Sequence, residues 1–175
     1  MNLYLDVDGV LVRELEPLDS EVDGGIVREL TYMDSDVDDF VVGRTFKDIT
    51  WSPTIIKALG ELKVHIIWLT TWEKAANTYL CPLFGWEPKE VLEFGSGGLW
   101  WKLERVLSRQ DKDEPFVWID DEILWRLGEN ESEYGALLGE LTAPRMLVSP
   151  WPGQGLTLAQ MDEIGKFVER VGVRS

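Results

Sequence analysis

The chain has little sulfur and almost no imidazole. Among its 175 residues, Cys81 is the only cysteine and His65 is the only histidine. One cysteine cannot close an internal disulfide, and one cysteine with one histidine cannot assemble the usual four-ligand zinc sites. These counts exclude an internal disulfide and a Cys/His zinc site. Any metal site must therefore be built from oxygen ligands.

Long apolar runs and a basic leader segment are also missing. The apolar stretches fall far short of the roughly 20 residues that cross a bilayer. The chain opens directly on an apolar run, without the basic region that begins a signal peptide. We therefore expect a cytoplasmic protein with no membrane partner.

Positive charge is scarce, because 17 Lys and Arg residues stand against 32 Asp and Glu residues, which gives a formal net charge of -15. A strongly acidic domain repels phosphate backbones and anionic lipid surfaces. A nucleic-acid end remains a candidate substrate, although one that this charge disfavours.

The composition is sufficient for one folded domain, 1–175. Hydrophobic residues make up 45% of the chain, and nine of the residues are tryptophan. A chain of this length buries roughly 70% of its unfolded surface. Apolar runs that predict strands alternate with amphipathic segments that predict helices, which favours an α/β fold with a parallel sheet. The predicted strands are 3–5, 64–69, 91–94, 116–119 and 146–148, and the predicted helices are 53–62, 73–80 (stopped by Pro82), 99–108, one or two within 122–141, and 158–171.

The segment between the first two predicted core strands carries a second pattern. Residues 26–33 and 40–46 predict two strands, and the acidic residues 34–39 predict the turn between them, so the segment resembles a flap hairpin. A calcium-binding loop is the alternative for this turn. It is disfavoured because Asp39 stands where the loop needs glycine and Thr45 where it needs glutamate. We expect a solvated turn.

Two carboxylates follow the first strand directly. Asp6 and Asp8 are two residues apart, which would place both side chains on the same side of an extended chain, and Gly9 permits a sharp exit. Like charges held this close are costly, and a hard divalent cation such as Mg²⁺ relieves the repulsion. The alternative is an ordinary turn after a strand.

Lys102 interrupts the apolar face of a predicted helix. It occupies position i+3 of the i, i+3, i+4, i+7 pattern that marks a buried helix face. The other positions of this pattern are Leu99, Leu103 and Val106. Lysine is rarely buried without a partner. Its ammonium could extend along the helix surface into solvent. A carboxylate cluster or a bound phosphate explains the position better.

Polar residues end two further predicted strands. Thr70 follows 64–69, and the pair Asp120 and Asp121 follows 116–119. A threonine at a strand end is often a turn or helix cap, and acidic residues are common in the first turn of a helix. Because the carboxyl ends of parallel strands share one sheet edge, we instead expect these side chains to lie near Asp6.

Over residues 3–121, the chain resembles the haloacid dehalogenase (HAD) superfamily, whose four motifs have counterparts here in the same order. These are the Asp6-Val7-Asp8-Gly9 segment, Thr70, Lys102 and the Asp120-Asp121 pair. Receiver domains of two-component signalling use similar residues, but there the acid pair is at the first strand and the lysine comes last. The order in this chain differs, because Lys102 comes before the acid pair Asp120 and Asp121. The chain also resembles HAD domains of the predicted RNA-repair (Swiss Army Knife) type through 69–73, 76–77, 101–102, 116–122 and 155–157.

The resemblance implies a Rossmann-like three-layer sandwich with a central parallel sheet and a small flap or hairpin cap insert at about 12–51. It also implies a Mg²⁺-dependent phosphatase that forms an aspartyl phosphate. Asp6 would be the nucleophile and Asp8 the acid and base, while Thr70 and Lys102 would hold the phosphoryl oxygens.

The resemblance further implies a Mg²⁺ site and an open access path. The metal ligands would be the Asp6 carboxylate, the main-chain carbonyl of Asp8, and the acid pair, in which Asp121 binds directly and Asp120 binds either directly or through another ligand. A small flap leaves the site open to a bulky phosphorylated substrate. Candidate substrate-binding residues are Thr71 and Arg44.

A different class of function stays open, namely a non-catalytic metal- or phosphate-binding domain that serves as a protein-interaction module. The acidic surface and the tryptophans would then bind a partner. The presence of Asp8 argues against this class, because binding alone needs no acid and base. Trp51 and Trp72 could stack on a base, but we expect both to pack in the core.

Overall fold

The computed structural model describes residues 1–13, 36–37, 39–45, 47–95 and 100–172. Within these residues the chain forms seven strands, six α-helices and one π-helix. None of these helices has the length and apolar character needed to cross a lipid bilayer. The strands are β1 (Asn2–Leu5), β2 (Val41–Arg44), β3 (Asp48–Trp51), β4 (His65–Trp68), β5 (Glu90–Val91), β6 (Phe116–Ile119) and β7 (Arg145–Val148). The α-helices are α1 (Pro53–Glu61), α2 (Cys81–Phe84), α3 (Trp101–Arg109), α4 (Ile123–Glu129), α5 (Glu131–Gly139) and α6 (Leu158–Gly172), and the π-helix is Ala76–Leu80.

Five strands form one parallel sheet in the order β5-β4-β1-β6-β7, which confirms the predicted α/β class and the parallel sheet. β1 is the central strand, and its last residue, Leu5, is in register with Trp68 of β4 and Ile119 of β6. The residues that follow these three strands therefore emerge at the same edge of the sheet.

Alternating residues of the central strands enter two separate hydrophobic clusters. In β1, Leu3 and Leu5 belong to the first cluster, whereas Tyr4 belongs to the second. The first cluster also contains apolar residues of α1 and α6, and the second contains apolar residues of α3 and α5. This alternation follows from the period of two in a strand.

The predicted starts of α1 and α6 are confirmed. The Ser52 side chain accepts a hydrogen bond from the Ile55 amide ahead of Pro53, the first helical residue. At α6, the Gln160 amide donates to the Thr157 hydroxyl oxygen (3.1 Å), and the Gln160 side-chain oxygen accepts from the Thr157 amide (3.1 Å). This reciprocal pair is a capping box.

The prediction that Pro82 stops a helix is wrong. The π-helix runs directly into α2, and Pro82 is the second residue of α2, so the helical segment continues through the proline. The helix ends instead at Gly85, which adopts a left-handed conformation with φ of 68°.

The strand predicted at 40–46 pairs with a strand that the sequence did not predict. The structure pairs β2 with β3 in antiparallel fashion, with Gly43 opposite Ile49. β2 lies within the strand predicted at 40–46. The pairing predicted between this strand and 26–33 stays a prediction, because 26–33 lie outside the described residues. β3 was not predicted, because a short strand next to a helix cap gives little periodicity.

The acidic segment expected to be a solvated turn supplies helix caps. Asp36 accepts hydrogen bonds from the amides of Leu158 and Ala159, both at 2.8 Å, at the start of α6. Asp39 accepts from the Ser52 hydroxyl and from the Thr54 amide at the start of α1. Carboxylates at helix N-termini complement the unpaired amides and the helix dipole. These contacts, rather than a calcium loop, account for the acids at 36 and 39.

Candidate functional site

Lys102 is buried between two carboxylates. Its Nζ lies 2.6 Å from Asp6 Oδ2 and 2.7 Å from Asp120 Oδ2. The exposed fraction is 2% for Lys102, 5% for Asp6 and 0% for Asp120. A carboxylate cluster, and not an extended side chain in solvent, therefore explains a lysine on the apolar face of α3.

Asp6 also receives hydrogen bonds from its own edge of the sheet. Its Oδ1 accepts from the Val7 amide at 2.7 Å, and the nearby Thr70 side chain acts to lower the pKa of its carboxyl group. Thr70 is fully buried, and its hydroxyl oxygen accepts from the Trp72 amide at 3.3 Å. Thr70 thus both stabilises the turn after β4 and contacts Asp6.

A third carboxylate joins this group. Ligand atoms of Asp6, Asp120 and Asp121 all lie within 4.8 Å of one another. Asp121 approaches the loop after β1 at Gly9, where a Cβ atom would lie 2.6 Å from Asp121 Oδ2. Gly9 also has φ of +69°, a conformation that side chains disfavour. Glycine is therefore needed there for both the turn and the carboxylate. We call Asp6, Asp120 and Asp121 the carboxylate triad.

The electrostatics of the triad reflect burial and an excess of negative charge. Burial raises the pKa of Asp6 despite the Lys102 ammonium. Burial and the charge of Asp6 raise the pKa of Asp120 to about 8 and that of Asp121 to about 6. Burial alone would lower the pKa of Lys102, but Asp6 and Asp120 outweigh it and the pKa is raised.

The triad fits a hard divalent cation. Its three donors are carboxylate oxygens, the ligands that Mg²⁺ prefers. The Lys102 ammonium pairs with Asp6 and Asp120, so full ionisation of all three carboxylates of the triad leaves uncompensated negative charge in a buried place. This unfavourable charge contributes to the raised pKa values of Asp120 and Asp121, and a bound cation would neutralise it.

Asp8 has a separate set of partners. Lys47 Nζ lies 2.9 Å from Asp8 Oδ1, and Trp72 Nε1 donates to Asp8 Oδ2 at 2.8 Å. Asp6 and Asp8 were expected on the same side of an extended chain. That alternation does not continue past β1, because β1 ends at Leu5 and the chain turns around the Val7 carbonyl.

The two candidate substrate-binding residues are exposed. Thr71 lies in the turn directly after Thr70, and Arg44 is the last residue of β2. Their roles stay predictions. The structure brings five of the predicted site residues into one cluster: Asp6, Thr70, Lys102, Asp120 and Asp121.

The partners of Asp8 were not predicted. Lys47 is one of several basic residues in the segment predicted as the flap insert, and Trp72 was expected only as a core or stacking residue. Trp72 is 6% exposed and Trp51 is 8% exposed, so the expected core packing of both is confirmed. A buried indole N–H usually donates to an acceptor, and this tendency is the one signal that pointed to a polar partner for Trp72.

Comparison of the chain with protein-family models, with curated proteins and with solved structures finds no match in any of the three. The chemistry open to this site must be inferred from its own residues.

Proposed function

We propose that this protein is a Mg²⁺-dependent phosphomonoesterase of the HAD superfamily that forms an aspartyl phosphate. The observation that carries the proposal is the buried ammonium of Lys102 between Asp6 and Asp120, with Asp121 and Thr70 at the same sheet edge. A site of this charge suits a phosphoryl group flanked by a cation. We further propose a Rossmann-like three-layer sandwich, supported by the two core clusters that contain helices from different parts of the chain.

The carboxylate triad would hold Mg²⁺, with the main-chain carbonyl of Asp8 as a further ligand. When bound, Mg²⁺ supplies positive charge that offsets the carboxylates and the phosphoryl oxygens. Lys102 and Thr70 would contact phosphoryl oxygens on the protein side. Both already contact Asp6, so they would also fix the orientation of the nucleophile.

The reaction would proceed in two displacements. In the first, a carboxylate oxygen of Asp6 attacks phosphorus, the bond to the leaving oxygen breaks, and Asp8 donates a proton to that oxygen. In the second, water attacks the phosphorus of the aspartyl phosphate and gives a proton to Asp8, which frees Asp6 and inorganic phosphate. The proton balance closes over the cycle.

The substrate would be a phosphorylated molecule whose identity the site leaves open. The net charge of -15 disfavours a nucleic-acid end, although the narrower resemblance to the RNA-repair type favours one. Arg44 and Thr71 would contact the part of the substrate that extends beyond the phosphate. We also propose a cytoplasmic location.

Hydrolysis of p-nitrophenyl phosphate tests the proposal. We expect phosphate release by the wild type that requires Mg²⁺ and stops with EDTA. Asp6→Asn should lower kcat by at least about 10³-fold, because it removes the nucleophile. Asp162→Asn is the matched control, since Asp162 is 61% exposed and lies on α6.

Circular dichroism of Asp6→Asn must show a folded protein. Unchanged turnover in this folded variant would refute the proposed mechanism. Mg²⁺ binding by the wild type without turnover of any phosphate monoester in a broad panel would favour the non-catalytic binding module instead.

A further inference from the structure

Each carboxylate oxygen of Asp8 receives one donor from a different part of the chain. Lys47, from the turn between β2 and β3, donates to Oδ1 at 2.9 Å. Trp72, from the turn after β4, donates to Oδ2 at 2.8 Å. The two donors also contact each other, with Lys47 Nζ 5.2 Å from the centroid of the Trp72 ring. We call Lys47 and Trp72 the Asp8 clamp.

The hairpin turn presents Lys47 in a fixed backbone geometry. The Thr45 hydroxyl donates to the Lys47 carbonyl at 2.8 Å and accepts from the Lys47 amide at 3.2 Å. The Thr45 amide also donates to the Lys47 carbonyl, at 2.9 Å. Three hydrogen bonds between two residues therefore define the turn that carries the ammonium to Asp8.

The hairpin is in turn anchored to the domain. A Cβ atom at Gly43 would lie 2.3 Å from the Trp51 ring, so β2 lies directly on a core tryptophan. The Arg13 amide donates to the Thr50 carbonyl at 3.2 Å, which joins the loop after β1 to β3. The position of Lys47 relative to Asp8 is thus set by packing on both sides of the contact.

Lys47 and Asp8 lie on the solvent side of the buried cluster, whereas Trp72 is 6% exposed and contacts Asp8 from the core. The side chains of Lys47 and Asp8 are 46% and 26% exposed, compared with 3% for Lys102 and 7% for Asp6. A leaving group that departs toward solvent from a phosphoryl group on Asp6 would therefore pass Asp8 rather than Lys102.

We propose that Lys47 and Trp72 are positioning residues that orient the Asp8 carboxyl for proton transfer to the leaving group. This inference rests on the proposed phosphatase function. As the P–O bond breaks, its electron pair goes to the leaving oxygen, which takes the proton of Asp8. Asp8 becomes a carboxylate that accepts from both clamp donors, the arrangement seen in the structure. It then takes the proton of the attacking water.

The dependence of rate on the leaving group tests this role. p-Nitrophenolate departs readily without a proton, whereas an alkoxide needs one, and general acid catalysis contributes about 10²–10⁴-fold. We expect Lys47→Met and Trp72→Phe each to lower kcat more on an alkyl phosphate, such as glycerol 2-phosphate, than on p-nitrophenyl phosphate. The fold-loss on the alkyl phosphate should be about 10 times the fold-loss on p-nitrophenyl phosphate, or more. Lys47→Arg keeps the charge and a donor, and should recover part of the difference.

Lys57→Met is the matched control, because Lys57 is a 77% exposed lysine on α1. Equal losses on both esters, or no loss on either, would overturn the clamp and leave the phosphatase proposal intact. Wild-type activity confined to aryl esters would also overturn it, because no proton would then be required of Asp8. A wild type inactive on both ester types refutes the phosphatase proposal and the clamp together.

Discussion

Lys102 Nζ lies 2.6 Å from Asp6 Oδ2, and both side chains are almost fully buried. The pair links α3 to the end of the central strand, and Asp120 completes it from the neighbouring strand. Removing one member of a buried ion pair is costly because the remaining charge has neither water nor a counter-charge.

Replacement of Lys102 by methionine should therefore destabilise the protein. We expect the free energy of unfolding of Lys102→Met to fall by about 3–5 kcal/mol in EDTA, measured by urea denaturation. Adding Asp120→Asn to that variant should restore part of the loss, because one of the unpaired carboxylates is removed.

Lys57→Met on the surface should change stability by less than about 0.5 kcal/mol. If Lys102→Met were as stable as the wild type, the pairing of the Lys102 ammonium with Asp6 and Asp120 would not contribute to the stability of the fold.

Gly9 and Gly85 offer a matched pair for testing the approach of Asp121. Both have φ near +68°, so alanine strains the backbone at each position. A Cβ atom at Gly9 would meet Asp121 Oδ2 at 2.6 Å, whereas at Gly85 nothing lies within 4 Å. Gly9→Ala should weaken Mg²⁺ binding by about 10-fold or more by displacing Asp121, and Gly85→Ala should cost only stability.

Isothermal titration with MgCl₂ measures the difference, with unfolding midpoints recorded for both variants. Comparable Mg²⁺ affinity in the two variants would argue that Asp121 does not contribute to a metal site.

Tyr4 gives a pH dependence of stability that is remote from the carboxylate triad. Its hydroxyl donates to Gln110 Oε1 at 2.9 Å, and burial raises the pKa of Tyr4 to about 12. The unfolded chain loses this proton near pH 10, whereas the folded protein keeps it. The stabilisation is therefore complete below pH 10 and is lost as the pH rises toward 12.

We expect the stability difference between the wild type and Tyr4→Phe to shrink between pH 10 and pH 12, measured by denaturation at each pH. Tyr79→Phe is the control substitution at a more exposed tyrosine, since Tyr79 is 41% exposed and Tyr4 is fully buried. If the stability difference stayed constant across this pH range, the Tyr4 hydroxyl would have the same pKa in the folded and the unfolded protein.

Local patterns predicted those features that depend on neighbours in sequence. The boundaries of β6 and the caps Ser52 and Thr157 were predicted correctly because a buried run and a capping side chain act within a few residues. Lys102 was recognised as paired because burial of an ammonium on an apolar helix face requires a counter-charge.

Features that depend on distant segments could not be predicted in the same way. The partner of β2 is a matter of register between strands, which alternation alone does not specify. The contacts of Asp8 join three parts of the chain, at residues 8, 47 and 72, and no periodicity relates them. The continuation of the helix through Pro82 was not predicted, because a proline within a helical pattern usually marks the end of the helix.

The close approach of Gly155 to the loop after β1 has a consequence for biosynthesis. A Cβ atom at Gly155 would lie 2.8 Å from the Val10 carbonyl oxygen, which accepts from the Leu156 amide at 2.9 Å. The ribosome makes the loop that bears Asp6 and Asp8 before it makes Gly155, so this loop receives its backing only after β7 has been translated. Until then, a nascent chain carries the acidic end of β1 uncovered on one side.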